Sequence, residues 1–359
     1  MRARRPILIM AGGTGGHVFP ALAVAEQLQG GGWPVAWLGT HAGLEARVVP
    51  AHGIPMYWIR VKGLRGKGAL RLLTAPVMLL WSLLQAARVL LKVRPAAVLG
   101  MGGYTTGPGG VMAWLFRRPL IIHEQNSVAG LTNRLLRPLA KQVLEAFPGS
   151  LKNAVHTGNP VRRNIAETAF SPPDLRSRRP HLLVVGGSLG AAVLNEQVPV
   201  ALAELGEQQR PEVWHQTGVS HIDEARKAYA AAGVEVKLEA FIDDMSTAYQ
   251  WADLVLCRAG ALTVAELAAV GVASILIPYP YAVDDHQTAN ASYLVEAGAA
   301  VLMPQSQMTP ERLRKQLELL QQPERLIAMA KRAREKARPE AAQRVADVCV
   351  GATTRKEAA

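Results

Sequence analysis

A chain of 359 residues, 49% apolar and 19% charged, is long enough for two domains with separate cores and too apolar for extended disorder. Its formal charge of +12 raises the question of a polyanionic partner, while two cysteines exclude a disulfide framework and a four-thiolate metal site. The first six residues are basic, but only the five apolar residues Ile7–Ala11 precede Gly12, too few for a signal peptide, so a cytoplasmic protein is expected.

The charge is concentrated in one half. Residues 1–160 hold 18 Lys and Arg against four acids (Glu26, Glu45, Glu124, Glu145), a balance of +14. Residues 161–359 hold the other 22 against 24 acids, a balance of −2. Such asymmetry points one half at nucleic acid, an anionic membrane or a phosphorylated substrate. Nucleic acid is disfavoured, because aromatics make up only 5% of the chain and no base-stacking signature accompanies the basic residues.

In chain order, short apolar runs alternate with Gly-rich turns and amphipathic stretches, the pattern of parallel α/β units. The first half predicts strands at Ile7–Met10, Val35–Leu38, Ala97–Leu99 and Leu120–Ile122. Between the second and third of these, Leu72–Ala87 runs for 16 residues without a charge, with Arg71 before it and Arg88, Lys92 and Arg94 after it. That is shorter than the roughly 20 residues of a transmembrane helix. A helix from about Pro76 presents Val77, Leu80, Trp81, Leu84 and Ala87 along one side, with Leu79 and Leu83 widening the apolar surface. It can cover a sheet, or dip Leu79, Leu80 and Trp81 into a membrane interface while Arg71 and Arg88 meet anionic lipid; both readings hold on different faces.

Gly158-Asn159-Pro160 and the prolines at 172, 173 and 180 interrupt the pattern. They predict domains over 1–160 and 161–340, with a C-terminal helix and a frayed tail over 341–359, the fraying from Ala352 onward. Second-half strands are expected at Leu182–Val185, Val213–His215, Val236–Glu239, Leu254–Cys257 and Ser274–Ile277, with Cys257 buried and inert in its apolar run. The halves echo each other: Ile7–Met10 runs into Gly12-Gly13-Thr14-Gly15-Gly16-His17, and Leu182–Val185 into Gly186-Gly187-Ser188-Leu189-Gly190. Two Rossmann-like domains facing across a cleft are the simplest architecture.

Glycine lets backbone approach a ligand, and a helix N-terminus behind the loop offers free N–H groups to an anion. Gly12–Gly16, Gly100–Gly103, Gly107–Gly110 and Gly186–Gly190 all suit this use, or tight turns alone. None has the G-x-G-x-x-G spacing of the dinucleotide fingerprint, so a nicotinamide dehydrogenase rests on fold alone. A helix starting near Thr263 would be capped by it, with Glu266 either closing a capping box or accepting sugar hydroxyls. His286, Gln287 and Asn290 lie one helical turn apart and could face a sugar or solvent. His123-Glu124-Gln125-Asn126 follows a strand at the end where open α/β sheets bind ligands, and His17 sits past another strand end. No His, Cys and acid spacing fits a protein-held metal.

Together these motifs resemble the MurG family of bacterial peptidoglycan glycosyltransferases. The matching strings are MAGGTGGHVFPALA (Met10–Ala23), GLRGKG (Gly63–Gly68), GMGGYTTGPGG (Gly100–Gly110), HEQNSVAGLTNR (His123–Arg134), GNPVR (Gly158–Arg162), GGSLGA, FIDDM (Phe241–Met245), RAGALTVAE (Arg258–Glu266) and DHQTANA (Asp285–Ala291). The stretches 165–180 and 201–235 and the tail after about 350 carry no family pattern.

The resemblance implies a GT-B fold and an inverting transfer of GlcNAc from UDP-GlcNAc to the C4 hydroxyl of MurNAc in lipid I, without a cofactor. By the same resemblance, Ser188 and the Gly187–Gly190 turn hold the diphosphate, and backbone at Ile242 reads the uracil. Glu266 binds ribose, and Ala261, Leu262, Thr263, Val264, Ala265 and Gln287 position the GlcNAc. Thr14, Gly15, Gly16 and Asn126 reach the donor from the N-terminal domain, and Arg162 contacts the nucleotide. His17 is the candidate base, or a donor to the acceptor pyrophosphate; Glu124 is a second candidate base, or a partner of His123. The implied location is the cytoplasmic face of the inner membrane, peripherally bound through anionic lipids, with room for other cell-wall synthesis proteins as partners. Two alternatives remain open: a nucleotide-sugar epimerase of GT-B fold, and a non-catalytic membrane-surface protein.

Overall fold

A parallel strand covered on both faces has no solvent side, so it reads as an unbroken apolar run rather than an alternation. The computed structural model describes residues 4–61, 69–172, 178–187 and 190–354, with backbone alone at 69–75, Val283 and Thr354. It divides into two units, residues 1–162 with 339–359, and residues 163–338.

The first unit carries a seven-stranded parallel sheet in the order β3-β2-β1-β4-β5-β6-β7. Its strands are β1 (Ile7–Met10), β2 (Val35–Gly39), β3 (Met56–Trp58), β4 (Ala97–Gly100), β5 (Leu120–Glu124), β6 (Gln142–Glu145) and β7 (Val155–His156). The second carries a six-stranded parallel sheet in the order β10-β9-β8-β11-β12-β13. These are β8 (His181–Val185), β9 (Glu212–Gln216), β10 (Lys237–Glu239), β11 (Leu254–Cys257), β12 (Ala273–Leu276) and β13 (Ala300–Leu302). All nine strands expected from apolar runs are present. The four others, β3, β6, β7 and β13, lie at or next to the sheet edges and are only two to four residues long.

Each sheet has one switch point, where strand order reverses: between β1 and β4 in the first unit and between β8 and β11 in the second. The loops leaving the carboxyl ends of these strand pairs are the glycine-rich segments, which puts them where open α/β sheets bind ligands. Behind the first loop, the fully buried Trp37 of β2 donates from Nε1 to the Ala11 carbonyl at 2.9 Å. An aromatic core residue thus anchors the loop's first peptide.

The expected boundaries need two corrections. The chain passes into the second unit at Arg162/Arg163, and it returns at Arg338/Pro339, so residues 341–359 are no separate appendage. The helix Ala341–Thr354 buries Val345, Ala346, Cys349 and Ala352 in the same core as β1, β4 and the Gly15–Gly30 helix. Lys141 closes its end by donating to the Ala352 carbonyl at 3.1 Å. Helix therefore persists through residues 352–354, the start of the expected frayed tail, and residues 355–359 lie outside the described residues. Cys257 and Cys349 are both buried, and burial pushes each thiol up to about 12.

The apolar segment also extends further than expected. Its helix runs from Ala69 to Val93 with Pro76 inside it, and by length and composition Pro76–Val93 could cross a membrane. Packing decides otherwise for one face: Ala86, Val89 and Leu90 are buried, the latter two against β1, β4 and β5, while Val77, Leu79, Leu80, Trp81, Leu84 and Leu91 remain exposed.

Val345 tests the return of the chain. Val345→Ala removes a fully buried side chain from the first unit and should lower the calorimetric transition of that unit by about 1.5–3 kcal/mol, leaving the second unmoved. An unchanged first transition would detach the helix from that core.

Candidate active site

At the first switch point two glycine loops meet. Met101 N–H donates to the Met10 carbonyl at 2.8 Å. A Cβ on Gly103 would stand 2.3 Å from the Gly12 carbonyl oxygen, and its φ of +84° is strained for any other residue. Gly102 presses on the imidazole of His17, with room for no side chain: a Cβ there would lie 2.7 Å from Nδ1.

Thr14 is the N-cap of the Gly15–Gly30 helix, yet its side chain makes no capping bond. The amides of Gly15 and Gly16 in the first turn are therefore available to an anion. Glu45, which has no solvent exposure, holds the loop in this shape. It accepts from Gly13 N–H at 3.0 Å and from Thr40 N–H and Oγ1 at 2.9 and 2.8 Å. Nothing in its short apolar surroundings marks Glu45 as more than one acid; the available signal is that acids are so rare in this half.

His17 Nδ1 lies 3.0 Å from Gln125 Oε1. Gln125 itself follows β5, beside His123 and Glu124, which are both buried. His123 Nε2 meets the Gly158 carbonyl at 3.0 Å, and burial pulls its pKa down to about 4. Glu124 does not pair with His123 by hydrogen bond, contrary to that expectation. Its Oε1 accepts from Asn126 N–H at 2.9 Å and Nδ2 at 3.4 Å, and its Oε2 from Gly130 N–H at 3.0 Å and Asn133 Nδ2 at 2.8 Å. A carboxylate so occupied shapes the loop that presents Asn126 and is badly placed to take a proton from substrate. Arg162, where the chain leaves the unit, lays its guanidinium over Phe19, 5.4 Å from the ring centroid.

In the second unit, Gln216 at the end of β9 pairs with the Gly187 peptide in both directions, accepting from its N–H and donating to its carbonyl, each at 3.1 Å. Gly190 has φ +75°, and a Cβ there would stand 2.1 Å from the Thr217 carbonyl oxygen. Ser188 lies outside the described residues. The Ala192–Ala203 helix begins behind this turn with no side-chain cap. Ile242 buries its side chain, so a ligand there meets backbone.

The capping box is not formed. The Ala261–Val270 helix starts two residues before Thr263, with Gly260 at its N-cap and no side-chain capping bond. Glu266 consequently falls in the second turn, where it is buried and accepts from the Tyr249 hydroxyl at 3.0 Å. Ala261 and Val264 are buried, while Leu262, Thr263 and Ala265 are partly exposed along the same turns. Gln287, half-buried, accepts from Tyr279 N–H at 2.9 Å. Asn290 is fully buried and donates to the Ala259 carbonyl at 3.3 Å, so it fastens its helix rather than facing a sugar. No group of three His, Cys, Asp or Glu side chains suits a metal among the described residues.

Glu124→Gln tests the loop role. Its amide nitrogen must face backbone N–H groups of Asn126 or Gly130, donor against donor, and urea unfolding of the first unit should lose about 1–3 kcal/mol. Unchanged stability would return Glu124 to the list of candidate bases.

Two family models match the chain: the N-terminal domain of glycosyltransferase family 28 over residues 7–145 and its C-terminal domain over residues 181–345. A relative from Alkalilimnicola ehrlichii, named UDP-N-acetylglucosamine--N-acetylmuramyl-(pentapeptide) pyrophosphoryl-undecaprenol N-acetylglucosamine transferase, is 60% identical over 96% of this chain and 98% of its own length. Among solved structures, Acinetobacter baumannii MurG is similar with a TM-score of 0.80 and 42% identity, covering 97% of this chain and 99% of that one. A UDP-GlcNAc 2-epimerase from Neisseria meningitidis, covering 96% of this chain and 99% of that one, has a TM-score of 0.66 at 14% identity, a likeness of fold alone. With both of its domains matched in order, this chain belongs to glycosyltransferase family 28.

Proposed function

We infer that this chain is a GlcNAc transferase that moves the sugar from UDP-GlcNAc to the C4 hydroxyl of MurNAc in lipid I, forming the β-1,4 linkage of lipid II. The observation that carries this reading is 60% identity, across 96% of the chain, to a transferase named for that reaction. The epimerase alternative has only the shared fold behind it.

The second unit is assigned the donor. The turn Gly187–Gly190 with Ser188 and the uncapped start of the Ala192–Ala203 helix suit a diphosphate. Ile242 offers backbone to the uracil, Glu266 an oriented carboxyl to ribose, and Ala261–Ala265 with Gln287 a helix start and carboxamide to GlcNAc. From the first unit, Thr14, Gly15, Gly16, Asn126 and Arg162 are assigned to the same substrates.

The chemistry is one displacement. The C4 oxygen of the acceptor attacks the anomeric carbon as the bond to the diphosphate oxygen breaks, and UDP leaves with the electron pair. Amides at the helix start stabilise charge that develops on the leaving group. His17 takes the hydroxyl proton; it lies against Gly102, where a Cβ would stand 2.7 Å from Nδ1, and faces the Gln125 carboxamide. Glu124 is left with loop support.

His17→Ala should lower turnover roughly 10²-fold or more while UDP-GlcNAc affinity stays near normal. The assay is UDP release with and without a lipid I analogue. Release that ignores the acceptor would favour the epimerase or a hydrolase, and normal turnover in the variant would remove His17 as base.

The acceptor named for the relative carries undecaprenol, so a membrane surface is where such a substrate resides. We assign peripheral binding at the cytoplasmic face of the inner membrane to the Ala69–Val93 helix. Leu79, Leu80 and Trp81 stand outward there, and Arg88 lies over the Trp81 ring at 5.8 Å. The side chain of Arg71 lies outside the described residues, as does the GLRGKG string Gly63–Gly68. The apolar face is wider than one helix: Trp114 and Leu115 are exposed on the adjoining Thr106–Leu115 helix, and Leu131 and Leu135 on the next. Basic Arg88, Lys92, Arg117 and Arg134 accompany it, a composition that suits anionic lipid.

The double variant Leu80→Glu, Trp81→Glu should weaken binding to anionic liposomes roughly tenfold or more. Wild-type binding should fall with added salt. Binding indifferent to both changes would move the membrane contact elsewhere.

A further inference from the structure

A hydrogen-bonded row in the first unit runs from a backbone carbonyl to His17, and its polarity is decided at one end. The Gly158 carbonyl can only accept, and His123 Nε2 lies 3.0 Å from it. His123 therefore carries its proton on Nε2. Burial is the largest influence on this imidazole and pulls its pKa down to about 4, outweighing Glu124 and Glu145, which favour the charged form; His156 opposes that form too. At neutral pH His123 is uncharged, so its Nδ1 is a bare acceptor.

The next member is the Gln125 carboxamide. One end faces three acceptors: His123 Nδ1 at 3.3 Å, the His123 carbonyl at 3.2 Å and the Met101 sulfur at 3.9 Å. Only the amide nitrogen can stand there, because a flipped amide would set oxygen against all three. The oxygen must then face His17, whose Nδ1 is 3.0 Å away. An amide oxygen accepts and cannot donate, so the His17 nitrogen facing it must hold the proton.

We propose that the row Gly158 carbonyl–His123–Gln125 fixes the proton of neutral His17 on Nδ1 and leaves Nε2 as its one proton-accepting nitrogen, making His123 and Gln125 positioning residues for the transfer. The catalytic consequence rests on His17 being the base; the tautomer does not. Free histidine in water favours the opposite tautomer, with the proton on Nε2, so the row selects the less common form. The carboxylates nearest this region are otherwise engaged: Glu45 on Gly13 and Thr40, and Glu124 on Asn126, Gly130 and Asn133. Arg162 stacks over Phe19, two residues beyond His17 along the same helix. A neutral amide thus does the orienting that many hydrolytic sites give to a carboxylate.

The test is a nitrogen–proton correlation spectrum of the full-length protein labelled with 15N-histidine, near neutral pH, with the His17 signals identified by their loss in His17→Gln. His17 is expected to be protonated on Nδ1 with a bare Nε2, and a buried, neutral histidine protonated on Nε2 should accompany it. In Gln125→Met, His17 should shift toward the Nε2-protonated form. Its kcat should fall roughly tenfold with the KM for UDP-GlcNAc unchanged, a split that general loosening of the fold would not produce. A wild-type His17 protonated on Nε2 overturns the proposal, as does a His17 tautomer that ignores Gln125→Met. Should Gln125→Met not fold, the wild-type spectrum decides alone. Normal turnover in His17→Ala would sink the base assignment while leaving the spectrum as the measure of the row, so the two failures are separable.

Discussion

Glycine loops at the carboxyl ends of parallel strands have no side chains with which to hold their own shape, so buried acceptors elsewhere must hold it for them. This constraint organises the first unit. Three of the four acids in residues 1–160 are buried, and each gathers backbone N–H groups of loops at the strand ends. Glu45 holds Gly13 and Thr40, Glu124 holds Asn126 and Gly130, and Glu145 holds Gly149 and Leu151. A buried carboxyl demands several donors, and an irregular loop has several to offer, so each need is met by the other. The second unit solves the same problem with neutral groups: Gln216 clasps the Gly187 peptide, and Asn290 fastens the Ala259 carbonyl.

The same arrangement sharpens the electrostatics. Acids committed to loop interiors contribute little to the exterior, where Glu26 is the remaining acid of residues 1–160 and lies 3.7 Å from His52. The face that residues 1–160 show to solvent is therefore more one-sidedly basic than their balance of +14 conveys. The exposed leucines and tryptophans of three neighbouring helices join that basic surface. Apolar contact and charge act together in such a surface, which is how a protein rests on an anionic bilayer without crossing it.

Much of the architecture was legible. Strands covered on both faces are continuous apolar runs, so β1, β2, β4, β5, β8, β9, β11 and β12 announced themselves, as did the edge strand β10 through Val236 and Leu238, and the glycine strings marked the turns between them. Strands β3, β6, β7 and β13, at or next to the sheet edges, did not, since two residues such as Val155-His156 carry no periodicity at all. Nor did the last helix: its burial of Val345 and Cys349 beside β1 depends on a chain that leaves the first unit and comes back. The Thr263–Glu266 spacing matched a capping box, but the helix begins earlier because Gly260 takes the N-cap, and Glu266 turns inward to Tyr249 instead.

By itself the sequence determined the class of each element, the two parallel sheets, the uneven charge and the strings that carry the family likeness, because all of these are local patterns of side-chain type. Only the tertiary structure decided which of the polar residues at the strand ends are spoken for. His17 and Gln125 are 108 positions apart, and Glu45 and Gly13 are 32 apart. Whether a carboxyl is a base or a brace, and which imidazole nitrogen keeps its proton, depends on the donors and acceptors that folding brings within about 3 Å, and no spacing along the chain records that.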